Sequence, residues 1–313
     1  MDYQHLPVMS DEIVDFLAPC LNHPGALLLD ATVGLGGHSA AILARFTGAR
    51  VIAIDRDPQA IAHARQRLVE VGENFQTFQG TYDRVAEALA GREADAILFD
   101  LGLSSLQIDS AERGFAYAWD APLDMRMDAD EAGLTAADVV NTYTADDLAR
   151  IFYIYGDEKF SRRIAAAIVA ARTAEPFTSS ARLVETVASA VPAASRSGHP
   201  AKRVFQAIRM EVNDERRLLE LALPAALAAL VTGGRLAVLS YHSGEDRLVK
   251  HCFAQAASDH VPAGIAVVPP AYRAQFRLVT HSAQKPSATE IAANPRSQSA
   301  RLRVIERKKE EEE

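Results

Sequence analysis

Cysteine is scarce in this 313-residue chain: Cys20 and Cys252 stand far apart and in no CxxC spacing. That excludes a disulfide framework and a cysteine-based zinc site, and leaves two buried thiols as the expectation. No metal is expected. Long apolar runs are absent too. The longest nearly unbroken one, Leu221 to Val231, is too short to cross a bilayer, so no membrane partner is expected. The opening residues MDYQHLPVMSDE have neither a basic head nor an apolar signal region, and a cytoplasmic protein is the expectation. Tryptophan occurs once, at Trp119. A positive balance is also missing. The formal charge is −8, which by itself speaks against a nucleic-acid partner.

The charge is unevenly spread, however. Residues 159–209 hold nine Lys/Arg against two Glu, and residues 262–309 repeat that ratio. Such asymmetry marks either polyanion-binding faces or solvated helix and strand faces, and charge alone leaves both open.

In the first third, apolar runs alternate with helical patterns. Strands are expected at 26–31, 51–55, 75–79 and 96–101, with helices from Gly37 to Phe46, Pro58 to Val71 and Tyr82 to Ala90. Strand–helix alternation with short joints implies a doubly wound α/β fold with a mostly parallel sheet. The rhythm stops at residues 102–133, which read as an ordered loop, and residues 135–231 read as helices only. Ser179-Ser180 is placed to cap a helix, Pro192 to Pro200 is a break, and Pro224 is expected to kink or divide the last helical stretch. Gly233-Gly234 end the helical block. A strand at Arg235–Tyr241, a helix from Glu245 to about Ala257, and strands at Phe276–His281 and Arg301–Arg307 follow. The pattern implies an α/β domain, residues 1–105 and 213–313, interrupted by an inserted all-helical domain, residues 106–212. ERKKEEEE reads as a frayed charged tail.

Between the first strand and the first helix lies Asp30-Ala-Thr-Val-Gly-Leu-Gly-Gly-His38. A strand, a glycine turn and a helix form the nucleotide-handling corner of a doubly wound fold. Asp55 ends the second strand, 21 residues after Gly34, where a carboxylate takes ribose hydroxyls. No lysine follows the glycines, so a P-loop is excluded. Gly34-x-Gly36-x-x-Ser39 narrowly misses the dinucleotide pattern. Tyr155 and Lys159 fit a dehydrogenase pair in letters but fall in the helical block, where a chance pair on one helix is the simpler reading. S-adenosylmethionine fits better: a ribose and adenine without pyrophosphate, and positive groups that suit Asp30. The glycines let the backbone approach its methionine portion. For His38, contact with the ligand carboxylate and local capping remain equal readings.

Further motifs accompany these. They include His5-Leu-Pro-Val-Met9, Phe99-Asp-Leu-Gly-Leu-Ser-Ser105, Glu112-Arg-Gly-Phe115, Pro122-Leu-Asp-Met-Arg-Met127, His199-Pro-Ala-Lys-Arg203, Ser240-Tyr-His-Ser243 and Asn294-Pro-Arg296. In this order they resemble the bacterial 16S ribosomal RNA (cytosine-N(4))-methyltransferases of the MraW type over nearly the whole chain. The resemblance implies an S-adenosylmethionine-dependent methyltransferase fold with a helical insertion. It also implies methylation of a cytidine amine in the decoding region of small-subunit RNA, free or within the subunit or its precursor. Cofactor contacts would fall on Gly36, Gly37, His38, Asp55, Tyr82, Asp100 and Gln107. The aromatic at Tyr82 is a departure from the family's usual phenylalanine. A homodimer is left open.

For the chemistry, Asp100 is the candidate acceptor for the amine N–H, because ligands bind beyond the carboxyl ends of parallel strands. The Asp/Ser-Pro-Pro-aromatic motif of related amino-methyltransferases is absent here, so His242 stands as a second catalytic candidate beside a capping role. Phe115, Tyr117 and Trp119 are candidates for stacking on an extruded base, with Phe115 better read as a hydrophobic plug joining the two domains. Arg126 either binds phosphate or braces its loop. Lys202, Arg203 and Arg209 are the candidate grip on the RNA backbone, with Arg209 alternatively bracing the junction near Asn213.

Overall fold

The computed structural model describes residues 7–104, 107, 110–129, 132–193, 198–259, 269 and 272–309. His5, Ser105, Arg196 and the acidic tail from Glu310 lie outside the described residues. The chain runs through α1 (Ser10–Leu21), β1 (Leu27–Asp30), α2 (Gly37–Arg45), β2 (Arg50–Asp55), α3 (Pro58–Val69), β3 (Phe75–Gln79), α4 (Val85–Leu89) and β4 (Ala94–Asp100). It then leaves for a second unit, Leu103–Arg216, and returns at Arg217. That second unit holds α5 (Ala136–Thr142), α6 (Ala145–Ile154), α7 (Ser161–Ala174), α8 (Ser180–Ala190) and α9 (Lys202–Val212). After it come α10 (Glu215–Ala228), β5 (Leu230–Ser240), α11 (Ser243–Ala256), β6 (Phe276–Leu278), α12 (Ala288–Ala293) and β7 (Arg301–Arg307).

The seven strands form one sheet in the order β3-β2-β1-β4-β5-β7-β6. The first five are parallel, and β7 runs antiparallel between β5 and β6. Strand order reverses between β1 and β4, so a switch point opens at their carboxyl ends. The apolar runs of these strands have a simple cause: both faces of the sheet are covered. Leu28, Val51, Ala53, Leu98 and Leu239 enter one core with Ile13 and Leu17 of α1 and Leu68 of α3. The alternate residues Leu29, Ile52, Ile97, Phe99 and Val238 enter the other with Val85 of α4, Leu223 of α10 and Phe253 of α11. Helix starts follow local chemistry. Asp57 caps α3 by accepting the Gln59 N–H, with Pro58 in the first turn, and Thr135 and Asp138 form a capping box on α5.

The helical unit has its own core, including Phe152 of α6, Ile168 of α7, Leu183 of α8 and Phe205 of α9. Phe115 belongs to this core. Its plug role is therefore internal to the helical unit. Gly114, just before it, is at φ +72°, and a Cβ there would sit 2.1 Å from the Pro122 carbonyl oxygen. Only glycine fits.

Several local expectations are corrected. Gly233-Gly234 lie inside β5 rather than ahead of it, at a register shift opposite Ala94–Ala96. Gly233 is at φ +83°, and a Cβ on Gly234 would sit 2.9 Å from the Val231 carbonyl, so the pair makes an irregularity that other residues would block. Pro224 does not divide α10; it sits within the helix on an exposed position. Tyr82 to Arg84 form a 3-10 turn before α4, not its first turn. Tyr155 and Lys159 share no helix: α6 ends at Ile154 and α7 begins at Ser161. Ser179 occupies the cap position of α8 without a capping hydrogen bond, and Ser180 instead bridges the Trp119 carbonyl and the Ala121 N–H.

Candidate active site

Three parallel strands end in aspartate: Asp30 on β1, Asp55 on β2 and Asp100 on β4. An apolar strand that terminates in a carboxylate sets charge at the sheet's carboxyl edge, where ligands bind. Asp30 is buried; its Oδ2 accepts the Ser39 hydroxyl at 2.6 Å and its Oδ1 accepts the Thr32 N–H at 3.2 Å. Burial raises its pKa, against the pull of the Ser39 hydroxyl. Asp55 accepts the Gly34 N–H on Oδ2 and the Asp57 N–H on Oδ1, both at 2.9 Å. Burial pushes its pKa up to about 6 despite these donors. Each oxygen of a carboxylate has a further acceptor position, so Asp55 retains the capacity for two vicinal hydroxyls.

The loop between β1 and α2 is shaped by glycine. Gly34 and Gly36 have φ of +52° and +77°. A Cβ on Gly36 would lie 3.2 Å from Ala64 Cα of α3, and one on Gly37 3.1 Å from Pro7. Glycine at these two places lets α2 start against its neighbours, a packing role in addition to any ligand contact. His38 follows and does not cap α2. Its Nε2 donates to the Val8 carbonyl at 2.9 Å, and its Nδ1 lies 3.5 Å from Asp100 Oδ2. A carbonyl can only accept, so Nε2 carries the hydrogen.

Asp100 is held from several sides. Its backbone N–H donates to Thr32 Oγ1 at 2.6 Å, and its Oδ1 accepts the Tyr241 hydroxyl at 2.8 Å. Tyr241 follows β5, and its pKa is raised well above its ordinary value by burial and by the Asp100 carboxylate. Tyr241 was visible in sequence only as part of the Ser240-Tyr-His-Ser243 motif. Gly102, at φ +115°, makes room for its ring, since a Cβ there would lie 3.1 Å away. Tyr82 sits just beyond β3 and meets Phe99 edge to face, ring centroids 6.0 Å apart.

His242 is placed as the cap of α11. Its Nδ1 accepts the Glu245 N–H at 3.3 Å, and Glu245 Oε2 in return accepts the N–H groups of Tyr241 and His242. Its Nε2 lies 3.1 Å from Glu245 Oε1 but outside hydrogen-bonding geometry. With Nδ1 already accepting, the ring is poorly arranged to act as a base.

The sheet unit thus brings together Gly36, Gly37, His38, Asp55, Tyr82, Asp100 and His242. The other candidates belong to the helical unit. Gln107 is buried and folds back on Ser104, accepting its N–H through Oε1 at 3.1 Å. Trp119 is 56% exposed. Tyr117, half-buried, stacks on His199 with ring centroids 4.3 Å apart and meets Phe205 edge to face. Arg126 forks onto Asp124 at 2.9 and 2.7 Å, which is the bracing arrangement. Arg209 forks onto Glu215 with both bonds at 2.7 Å and little exposure of either side chain. Its charge is neutralised, so the expected phosphate grip at Arg209 is replaced by a structural pair. Lys202 and Arg203 are exposed in the first turn of α9, and Arg203 donates to the Asp157 carbonyl. Asn213, buried, was noted only as a neighbour; its Nδ2 donates to the Met125 carbonyl and its Oδ1 accepts the Met127 N–H, fixing the Leu-Asp-Met-Arg-Met segment.

Burial pushes the Cys20 thiol up to about 12 and raises that of Cys252, so neither is a reactive nucleophile. No helix among the described residues is long and apolar enough to cross a membrane.

The family described as MraW methylase matches residues 2–308. A Nocardioides sp. protein named "Ribosomal RNA small subunit methyltransferase H" is 55% identical over 308 residues, covering 97% of this chain and 96% of that one. Its namesake in Acidothermus cellulolyticus is 53% identical, covering 97% and 93%. That of Streptomyces avermitilis is 49% identical over 315 residues, covering 99% of both.

Proposed function

Because the chain belongs to the MraW methylase family, we propose that it methylates the exocyclic amine of a cytidine in the decoding region of 16S ribosomal RNA, with S-adenosylmethionine as donor. The setting is the cytoplasm, on the small subunit or its precursor. Gly36, Gly37, His38, Asp55, Tyr82, Asp100 and Gln107 would hold the cofactor, and the donor set suits it: Asp55 for the ribose hydroxyls, an aromatic edge at Tyr82 for adenine, and no phosphate-binding lysine. Bound there, S-adenosylmethionine supplies a methyl group made electrophilic by its sulfonium.

The observation that carries the proposal is Asp100, an acceptor ending β4 at the switch point with its carboxylate oriented by Tyr241. A cytosine amine is a poor nucleophile because its lone pair is delocalised into the ring. An ionised carboxylate only accepts hydrogen bonds. Asp100 accepting the amine N–H favours the pyramidal nitrogen and fixes the direction of its lone pair. Trp119 offers an exposed face for a base taken out of its stack, and Lys202 and Arg203 offer charge to the backbone.

The test is Asp100→Asn, followed by single-turnover transfer of labelled methyl to small-subunit RNA and nucleoside analysis. The expected loss in rate is roughly 100-fold or more at saturating cofactor, with cofactor affinity changed far less. Equal losses in both would make Asp100 a cofactor ligand instead. Label in any nucleoside other than an N(4)-methylated cytidine would overturn the substrate.

A further inference from the structure

The first turn of a helix is the positive end of its dipole, so acids strengthen it there and cations weaken it. Within the helical unit, α5 and α6 follow that rule. Asp138 stands in the first turn of α5, and Asp146 and Asp147 in that of α6, each behind a threonine cap. α7 and α9 do the reverse. They open on Arg162-Arg163 and on Lys202-Arg203, with no acid in the first turn and no capping side chain. α8 also carries an arginine in its first turn, but Arg182 is taken up by the carbonyls of Ala171, Glu175 and Pro176. Helix formation accounts for the acids of α5 and α6 and not for the cations of α7 and α9.

The fold brings the two basic turns to one end of the unit. α6 ends at Ile154 and α7 begins at Ser161, and the connection between them lies against the start of α9. Gly156 makes that approach possible, since a Cβ there would sit 2.6 Å from the Arg203 carbonyl oxygen. Gln206 donates through Nε2 to the Tyr155 carbonyl at 2.8 Å, and Arg203 through Nη1 to the Asp157 carbonyl at 3.2 Å. Lys159 belongs to the same connection.

Lys159, Arg162, Arg163, Lys202 and Arg203 are all exposed, and among the described residues none of them is paired with a carboxylate. From Tyr155 to Ala174 and from Gly198 to Met210 the only acids are Asp157 and Glu158. Glu158 is buried and turned onto the Phe160 N–H, which its Oε1 accepts at 2.8 Å. Five cations against these two acids leave this end at +3 with both acids counted in full. Tyr153, in the last turn of α6, is 67% exposed. Its neighbours Ile151 and Phe152 fill the core of the unit, and the tyrosine ring is turned the other way.

Building on the reading of RNA as substrate, we infer that this end of the helical unit binds a single-stranded stretch of that RNA. Tyr153 stacks on an unpaired base, and Lys159, Arg162 and Arg163 continue the phosphate track begun by Lys202 and Arg203. The ring selects the single strand. In a duplex both faces of a base are covered by its neighbours, whereas an unpaired base offers a face to an aromatic side chain. The cations supply the part that is blind to sequence, because each phosphate neutralised on a single strand releases counterions and adds about 0.7 to the slope of log affinity against log salt. An acidic protein segment would satisfy the cations and leave the ring without a flat partner.

The experiment uses the full-length chain and two probes, a labelled single-stranded oligoribonucleotide of decoding-region sequence and an RNA duplex of the same length, each titrated at several salt concentrations. Wild type should prefer the single strand. Lys159→Ala/Arg162→Ala/Arg163→Ala should lower the salt slope by roughly two. Tyr153→Ala should weaken single-strand binding by roughly fivefold to a hundredfold at an unchanged slope, and Tyr153→Phe should bind as wild type, since the ring and not the hydroxyl stacks. Cofactor affinity by calorimetry and the urea midpoint should stay at wild-type values in all three. A wild-type slope in the triple variant, wild-type affinity in Tyr153→Ala, or equal binding of duplex and single strand overturns the inference. Loss of cofactor affinity or of the urea midpoint overturns it too, because the residues would then be structural. Methyl transfer to small-subunit RNA is measured alongside: a wild-type chain that binds the single strand and transfers no methyl would sink the substrate reading and leave this surface standing.

Discussion

Arg126 and Arg209 of the helical unit and the strand-end aspartates Asp30 and Asp55 of the sheet unit are handled in opposite ways. In the helical unit Arg126 and Arg209 are forked onto Asp124 and Glu215. In the sheet unit Asp30 and Asp55 form no salt bridge; backbone N–H groups and the Ser39 hydroxyl hold them. The pKa directions follow. The Arg126 guanidinium holds Asp124 below its ordinary value, whereas burial lifts Asp30 and Asp55 above theirs. Neutralised charge fastens a fold. Charge left without a counterion at strand ends weakens the empty protein and is available to a ligand.

The strongest way to break this contrast is at Arg209. Arg209→Ala removes both guanidinium bonds from the buried Glu215, and the unfolding free energy of the helical unit should fall by about 3–5 kcal/mol in urea denaturation. Arg209→Met/Glu215→Leu should recover most of it. If Arg209→Ala instead spared stability and abolished RNA binding, Arg209 would belong with the ligand-binding charges.

The next effect is at Asp55. Asp55→Ala should weaken S-adenosylmethionine binding by about 1.5–3 kcal/mol, the range for hydrogen bonds to a charged group, as calorimetry would read. Stability of the unliganded chain should not fall in parallel.

A smaller effect, with a sign that separates the two kinds of carboxylate, is expected from pH. Asp55 titrates near 6 when folded, against an ordinary 3.8. Protonation below about 6 removes the acceptor, so cofactor affinity should drop about tenfold per pH unit once below that point. The native chain binds this proton more readily than the unfolded one. Asp55 therefore adds stability to the empty protein as pH falls from about 6 towards 3.8. Asp124 has the opposite sign: its depressed pKa contributes stability above the ordinary carboxylate range, lost as pH falls through its folded value. Thermal melts against pH, with and without cofactor, in wild type and Asp55→Asn, read both. A pH-independent cofactor affinity would remove Asp55 from the ligand set.

The smallest change in stability is expected for Lys202→Ala/Arg203→Ala, within about 0.5 kcal/mol, because both are exposed. The same variant should lower the salt slope of RNA binding by roughly 1.5. An unchanged slope would mean that the exposed turn of α9 is only a solvated face.

What was legible in the sequence follows from distance along the chain. The strands of the sheet could be read because burial on both faces demands unbroken apolar runs, and Asp55 because its place relative to the glycines is set within one βαβ unit. Gly233-Gly234 misled, since glycine pairs usually end elements, whereas here they accommodate a shift that exists only once β5 lies beside β4. Pro224, expected to kink or divide its helix, does not divide it: the ring occupies an exposed position within α10. Tyr241 and Asn213 carry no local signal. Their meaning lies in contacts to residues 141 and 86 positions away, which no spacing rule encodes. For Arg209 the sequence left a phosphate grip and a brace near Asn213 both open, and only the fold shows Glu215, six residues on, bonded to it.

The bond between Met9 and Glu290 joins residues 281 positions apart. Chains emerge during synthesis at about 5–20 residues per second, so Met9 is made roughly 15–60 s before its partner exists. In that interval the segment that supplies the Val8 carbonyl to His38 has no anchor on α12. β5, which provides Tyr241 to Asp100, also waits for the whole helical unit to be synthesised. The centre that would act on ribosomal RNA is therefore assembled late, and a nascent chain still on its ribosome carries the strands of the site long before it carries the site.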